Sequence, residues 1–544
     1  MAISPDGKRR RTAVYNDDGG GIKMGAEGDP VAGLHVYVDR VLDRIRLDSF
    51  ALSVAEPDIM FCLSEAGETV GRRFANLDDI KDPHMRGIAK SIAALEKQGT
   101  DSLTVIADRV HERGVEFLAE MRMGDTHVCQ PDPADAFCPQ ITIDHPEWII
   151  RRSDALPEHI EETALDYSFP EVRAHRLAIL RELAHRPEVD GLELNFIRWG
   201  KHFVREEAPD KAPIMTEFVN QVIEILAEAA STRGREHLAL GARVPSTLEE
   251  CRDAGLDPRA WVDRGWLNYL AVSDYNYSDP QIRMEPFASF TRGTDCALLV
   301  QMGDMIGGVW QGKPSLKDRD RGLSIMMDNY HGLLNTDAEA RAAALNAYAD
   351  GADGVTFWNI CNNMADGAKW GGPDHRARVL SWMNAVSSPK AAQSGPRHYH
   401  FLPMWKWLET PHRNYAVNRQ HHSPTGNTNC QILTFGPDRT GSRQAYHFLM
   451  ADGRDGACEG TMRFQIFYLE PSDEIALDIN GRAVPADAVR REHRPSTDPP
   501  ATWFELSLRD GPALQFDNEL GITPGPLSER SNPPYMEELE VFVS

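Results

Sequence analysis

The chain has 544 residues, a formal charge of −24, 41% hydrophobic residues and 26% charged ones, which is too long for one ordinary domain and calls for a large unit plus at least one smaller. The acidic balance argues against nucleic-acid or anionic-membrane partners, because a polyanion is repelled at long range. No run approaches the roughly 18 apolar residues of a membrane span, and the basic start Lys8-Arg9-Arg10-Arg11 leads into no apolar signal region, so the expectation is a cytoplasmic protein.

Chain order then suggests alternating strands and helices. Arg11 to Asn16 reads as a first strand running into Asp17-Asp18-Gly19-Gly20-Gly21, a rim loop whose glycines lack the spacing and lysine of a phosphate loop. A helix over Val36 to Arg46 and a strand over Phe50 to Val54 follow. Leu103, Ile106, Ala107 and Val110 recur at helical spacing before Gly114, which predicts a helix ending on a glycine. Val115 to Met123 is the third strand, opening into Gly124-Asp125-Thr126-His127. Phe169 to Arg186 is helical, with Pro170 tolerated in its first turn.

The fourth strand, Asp190 to Trp199, carries the clearest pattern. Leu192, Leu194 and Phe196 share one parity, while Glu193 and Asn195 share the other, so one face is apolar and one polar. If the apolar face packs on helices, Glu193 and Asn195 point into a barrel near its carboxyl end, where such enzymes keep their reactive groups. Further strands are read at Leu238 to Arg243, Leu267 to Val272, Cys296 to Met302 and Gly354 to Asn359. Helices are read at Met215 to Ala230, in two short pieces over Thr247 to Gly265, at Asp337 to Asp350 and at His375 to Val386. Eight strand-helix pairs predict an α/β fold, a (β/α)8 TIM barrel.

From Ser387 the texture becomes linker-like, and beyond about Thr428 short strand candidates alternate with Gly, Pro and Asp clusters. The expected organisation is an N-terminal tail over 1–10, a catalytic barrel over 11–390, a linker over 391–427 and a C-terminal all-β sandwich domain over 428–544. Ile479-Asn480-Gly481-Arg482 is a hairpin signal within that last part. The eight cysteines are scattered without a Cys-x-x-Cys pair, Cys129 and Cys138 being the closest, and read as reduced thiols.

The predicted strand ends collect Asp17 and Asp18, Arg122, Asp125 and His127, Glu193, Asn195 and Arg198, Arg243, Asp274 and Tyr275, Gln301 and Asp304, and Trp358 and Asn359. Carboxylates and amides suit sugar hydroxyls, and aromatic faces suit pyranose rings. Glycosidic chemistry needs two carboxyls, about 5 Å apart for a retaining enzyme and roughly 6.5–9.5 Å for an inverting one. The first pair is Glu193 as nucleophile or base with Asp274 as general acid, Asp125 and Asp304 being the substitutes. The remaining residues are assigned to substrate binding, with Tyr275 and Trp358 as stacking platforms. The blander alternative for Glu193 is a buried ionic layer with Glu120, Arg122 and Arg243. No cofactor or metal is expected: Asp125-x-His127 has no well-spaced companion, and His202, His398, His400, His421 and His422 fall on loops.

Tyr15-Asn16-Asp17-Asp18-Gly19-Gly20, Phe117 to His127 and Asp190 to Phe196 resemble the strand ends of bacterial glycosyl-hydrolase-like TIM-barrel proteins, over about residues 11 to 390. The resemblance implies a carbohydrate-active barrel and transfers no substrate. It also implies that the position of Asn195 is often Asp, leaving Glu193 as the strand-four carboxylate here. The leading expectation is a glycoside hydrolase with a carbohydrate substrate, homo-oligomerisation being left open. The alternatives are a non-catalytic carbohydrate-binding protein on a degenerate barrel and a metal-dependent sugar isomerase or lyase.

Overall fold

The computed structural model describes residues 2–3, 9–26, 28–56, 58–124, 132–150, 164–197, 201–273, 277–310, 323–327, 330–358, 360, 375–402, 405–407, 416–418, 431–454, 456, 458–497, 499–509, 511–528 and 530–544. Eight strands form the first unit: β1 Ala13–Asp17, β2 Ser49–Glu56, β3 Glu116–Arg122, β4 Gly191–Asn195, β5 Ala239–Pro245, β6 Tyr269–Ser273, β7 Ala297–Met302 and β8 Gly354–Trp358. Each pairs in parallel with the next, and β8 pairs with β1, so the sheet closes on itself as a TIM barrel.

Period-two alternation divides six of the eight strands between two separate apolar clusters, β4 and β8 adding only to the outer one. Tyr15, Phe50, Phe117, Leu192, Leu194, Leu240, Leu270, Leu298 and Val355 face outward into the large core shared with the helices. Val14, Ala51, Leu118, Ala239, Tyr269, Ala271, Ala297 and Leu299 fill the lower bore. Above this plug the inward positions turn polar, so chemistry is confined to the carboxyl end.

The helices start where sequence provides an acceptor for their unpaired first amides. Asp101 accepts from Thr104 N at 2.9 Å, and Thr336 forms a reciprocal capping box with Glu339. Helix Pro83–Glu96 was not among the expected elements, although Met85, Ile88, Ala89, Ile92 and Leu95 share its buried face. A three-stranded antiparallel sheet of Met305–Trp310, Leu323–Met327 and Tyr330–Leu334 follows β7, another departure from the simple alternation. Among the described residues no helix is long and apolar enough to cross a membrane.

The C-terminal part is antiparallel. Its strands are β9 Arg397–Phe401, β10 Gln444–Leu449, β11 Gly460–Phe467, β12 Ile475–Ile479, β13 Val489–Arg494, β14 Ala501–Ser507, β15 Asp517–Pro524 and β16 Leu539–Val543. One sheet runs β9-β16-β11-β14-β13 and the other contains β10-β15-β12. Alternate residues of both, such as Phe464, Ile466, Phe504, Phe448, Leu520 and Ile479, meet in one core, an arrangement compatible with a β-sandwich. Asn480 at φ 53° and Gly481 at φ 75° make the expected tight turn, Ile479 pairing with Arg482.

Within the stretch expected as a linker, β9 forms a strand paired along its whole length with β16. Its partner lies at the far end of the chain, beyond the reach of any local pattern. The barrel and the β region are also bolted by side-chain amides that imitate a strand edge. Gln281 donates to His447 O and accepts from Leu449 N, both at 2.7 Å. Asn346 donates to Leu449 O at 2.9 Å and accepts from Ala451 N at 2.8 Å.

Candidate active site

Glu193 and Asn195 point into the bore, as their alternation predicts, level with Glu120 and Arg122 on β3 and with Gly241 and Arg243 on β5. The centre of the arrangement is Asn16 on β1. Its Nδ2 donates to Glu120 Oε2 and to Glu193 Oε1, each at 2.6 Å. Asn195 Nδ2 donates to Glu120 Oε1 at 3.2 Å. Glu193 receives two more donors, the Tyr269 hydroxyl on Oε2 and Arg243 Nε on Oε1 at 3.4 Å.

Neither carboxyl has any exposed surface. Desolvation, reinforced by the nearby charge of Glu193, pushes Glu120 up to about 8, so it holds its proton at neutral pH. Burial and the same Glu193 charge raise the Tyr269 phenol well above its usual value, which keeps it a donor.

Tyr269 reaches Glu193 only because of a glycine. It starts from the lower bore, and a Cβ on Gly241 would stand 2.0 Å from its ring. Arg243 continues the network upward, donating to Gln301 Oε1 at 3.1 Å and Thr356 Oγ1 at 2.9 Å, with its guanidinium 5.6 Å from the Trp358 ring centre. Ser273 donates to the same Gln301 oxygen. Trp358 is therefore a buried ring beneath an arginine, 1% exposed.

At the upper edge Arg122 pairs with Asp18 and with Glu56. Glu56 joins the bore through a bulge: the β2–β3 register slips by one residue between Ser53 and Ala55, which shifts the following side chains to the opposite face. Asn16 Oδ1 and Ser53 Oγ are buried acceptors without a hydrogen-bond partner among the described residues.

Two expected residues face elsewhere. Asp17 has the outward parity, accepts from the Tyr37 hydroxyl and from Gly19 N, and is pushed up to about 7, chiefly by burial. Asp304 is gripped by Arg378 through two bonds of 2.7 Å and accepts from Trp382 Nε1 at 3.2 Å, bracing the chain after β7 against helix His375–Val386. Asp125, His127, Arg198, Asp274, Tyr275 and Asn359 lie outside the described residues.

Asn16, Glu56 and Tyr269 were not anticipated as members of this network. Asn16 shares the inward parity of Val14, and Gly241 is the one sequence clue that a large ring crosses the bore at its level. The bulge that turns Glu56 inward leaves no local signature.

No family model matches the chain, and no curated protein matches it. Among solved structures it is similar to the PgaB (BpsB) glycoside hydrolase domain from Bordetella bronchiseptica, at 12% identity over 70% of this chain and 99% of that one, with a TM-score of 0.39. It is also similar to a glycoside hydrolase family 18 N-acetylglucosaminidase from Paenibacillus barengoltzii, at 12% identity, covering 69% and 99% of the two chains, with a TM-score of 0.36. A plant class V chitinase mutant from Cycas revoluta, in complex with (GlcNAc)3, gives 11% identity, 70% and 98% coverage and a TM-score of 0.37. The barrel of this chain rests on its own strand register rather than on these likenesses.

Proposed function

We propose that the chain is a glycoside hydrolase whose carboxyl pair sits in the upper bore of the barrel, Glu193 acting as nucleophile or base and Glu120 as proton donor. The observation that carries this reading is the pair's contrast. Burial and the neighbouring carboxyl raise Glu120, while Glu193 receives Asn16, Tyr269 and Arg243. A neutral acid beside a hydrogen-bonded carboxylate is the division of labour that glycosidic cleavage needs. Because an oxygen of each lies 2.6 Å from one nitrogen, the two oxygens cannot be farther apart than the sum of those distances, which is short of the roughly 6.5–9.5 Å of inverting enzymes.

Protonation of the leaving oxygen by Glu120 and attack at the anomeric carbon by Glu193 would form a glycosyl-enzyme; water, deprotonated by Glu120, would then release the sugar. Arg243 orients Glu193, and the unsatisfied Asn16 and Ser53 oxygens are acceptors for sugar hydroxyls. Asp274, the acid expected from the sequence, lies outside the described residues and is the alternative to Glu120 in that role. Residues 11–390 form the catalytic part in this reading, with 428–544 as an accessory.

The complete burial of both carboxyls favours a second reading, a non-catalytic carbohydrate-binding barrel in which they form a sealed polar layer. A screen of aryl glycosides and oligosaccharides with the wild type, Glu193→Gln and Glu120→Gln separates the two. Turnover lost in Glu193→Gln with cooperative unfolding retained supports the hydrolase. Sugar binding without turnover in the wild type, and unchanged in both variants, supports the binding protein.

A further inference from the structure

The barrel and the β region are also joined by a buried histidine set between two carboxylates. His400 lies on β9 and has both ring nitrogens in contact. Its Nδ1 stands 2.8 Å from Glu339 Oε1, on helix Asp337–Ala349 of the barrel. Its Nε2 stands 2.8 Å from Glu538 Oε1, just before β16. Both carboxylates are buried and held by their second oxygens. Glu339 Oε2 accepts from Thr336 N at 3.1 Å and Thr336 Oγ1 at 2.6 Å in the capping box of its helix, and Glu538 Oε2 accepts from Gln465 Nε2 at 3.3 Å on β11.

Donor counting decides the state of the ring. A carboxylate oxygen only accepts, and a neutral imidazole carries one N–H, so it can serve one of these oxygens and turns a lone pair toward the other. An imidazolium has an N–H on each nitrogen and makes two charge-assisted hydrogen bonds here. Further contacts of the carboxylates leave that count unchanged, because it concerns the two ring nitrogens alone. Among the described residues the other charged or titratable groups around the ring are Glu540, whose Oε1 is 3.7 Å from Nε2, and His398, whose ring stacks on His400 with centroids 4.7 Å apart. His398 in turn faces Glu339 at 3.4 Å and Glu540 at 3.2 Å, and Arg463 reaches the cluster through Glu540 Oε2 at 2.6 Å.

We propose that His400 is a buried imidazolium that fastens the barrel to the β region, and that the fastening weakens as pH rises above the ordinary histidine range. In the unfolded or opened chain histidine titrates near about 6.5, while the two carboxylates hold the proton on the closed ring to higher pH. The stability that the contact contributes is therefore complete below about 6.5 and declines from there until the folded-state value is passed. The amide bolts at Gln281 and Asn346 have no titratable group, so they keep the same interface together when the histidine lets go. What loosens is the β9–β16 pair, which the imidazolium ties to the start of the barrel helix.

The test uses the full chain. Hydrogen exchange of β9 and β16, corrected for the intrinsic effect of pH on exchange, is followed from about pH 6 to 9 beside denaturant midpoints, in the wild type, His400→Gln, Glu339→Gln and Gln281→Ala. Expected in the wild type is a loss of protection in these two strands that begins near pH 6.5 and approaches tenfold per pH unit, the effect of one proton. His400→Gln should remove that dependence. Glu339→Gln, which withdraws one acceptor, should make the decline end at lower pH. Gln281→Ala, which cuts a neutral bolt of the same interface, should lower the midpoint equally at every pH. Protection that is flat with pH in the wild type, a dependence that survives His400→Gln, or one that Gln281→Ala removes as fully would overturn the proposal and leave His400 a neutral core ring. Should His400→Gln fail to fold, a decline that Glu339→Gln leaves unmoved overturns it as well.

Discussion

Two clusters of buried carboxyl groups, one in the bore and one at the junction with the β region, are answered differently. In the bore, Glu120 and Glu193 are met by donors from neutral side chains, Asn16, Asn195 and Tyr269, and by Arg243. The residual imbalance is removed by a proton, since Glu120 is held up at about 8. At the junction, Glu339, Glu538 and Glu540 converge on His398 and His400, whose ring nitrogens can take a proton. Buried carboxyls must be neutralised or paired; the ligand types around them decide by what. Amide and phenol donors bring no charge, so a proton makes up the balance there, whereas imidazoles can supply the charge themselves.

The contrast can be broken most sharply at Glu193. Glu193→Gln should lower kcat/KM for any glycoside turned over by the wild type by roughly 10²–10⁴-fold or more, measured against a chemical unfolding curve that stays cooperative. Next is Gly241→Ala, where the new methyl would collide with Tyr269. Overpacking of this kind should cost about 1–3 kcal/mol and displace the phenol from Glu193; an unchanged melting temperature and activity would mean that Tyr269 has no part in fixing the carboxylate.

The pH dependence sharpens the same comparison. Glu120 and Asp17 both have folded-state values raised above the ordinary carboxyl range, to about 8 and about 7. The folded state therefore binds more protons than the unfolded chain between roughly pH 4 and 8, and the stability that these groups contribute, full at low pH, declines as pH rises through that window. Glu120→Gln and Asp17→Asn should each flatten the decline by up to one proton's worth of slope, read from denaturant midpoints across pH. If Glu120 is the catalytic acid, the alkaline fall in kcat/KM near pH 8 should also vanish in Glu120→Gln together with most activity.

Much of the barrel was legible because its strands are buried on both faces in different ways. The alternation of Leu192, Glu193, Leu194 and Asn195 records an apolar outside and a polar upper bore, and the outer and inner clusters separate along that parity. Most of the C-terminal strands and the Asn480-Gly481 turn were equally readable, since their signals are local, whereas β9 and β13 were not anticipated. Helix Pro83–Glu96 carried a readable stripe, whereas the slip that turns Glu56 inward depends on how β2 pairs with β3.

What the sequence determined by itself was therefore the alternation of elements, the inward parity of Glu193 and Asn195, and the change of texture after the last barrel helix, because each depends on residues a few positions apart. Only the tertiary structure decided which groups those side chains meet. Asn16 lies 177 residues from Glu193, and His400 lies 138 from Glu538. The strength of a buried polar contact depends on partners brought together by sheet closure and strand pairing, and the physics that makes one carboxyl an acid and another an acceptor for an imidazole acts across those distances in the chain.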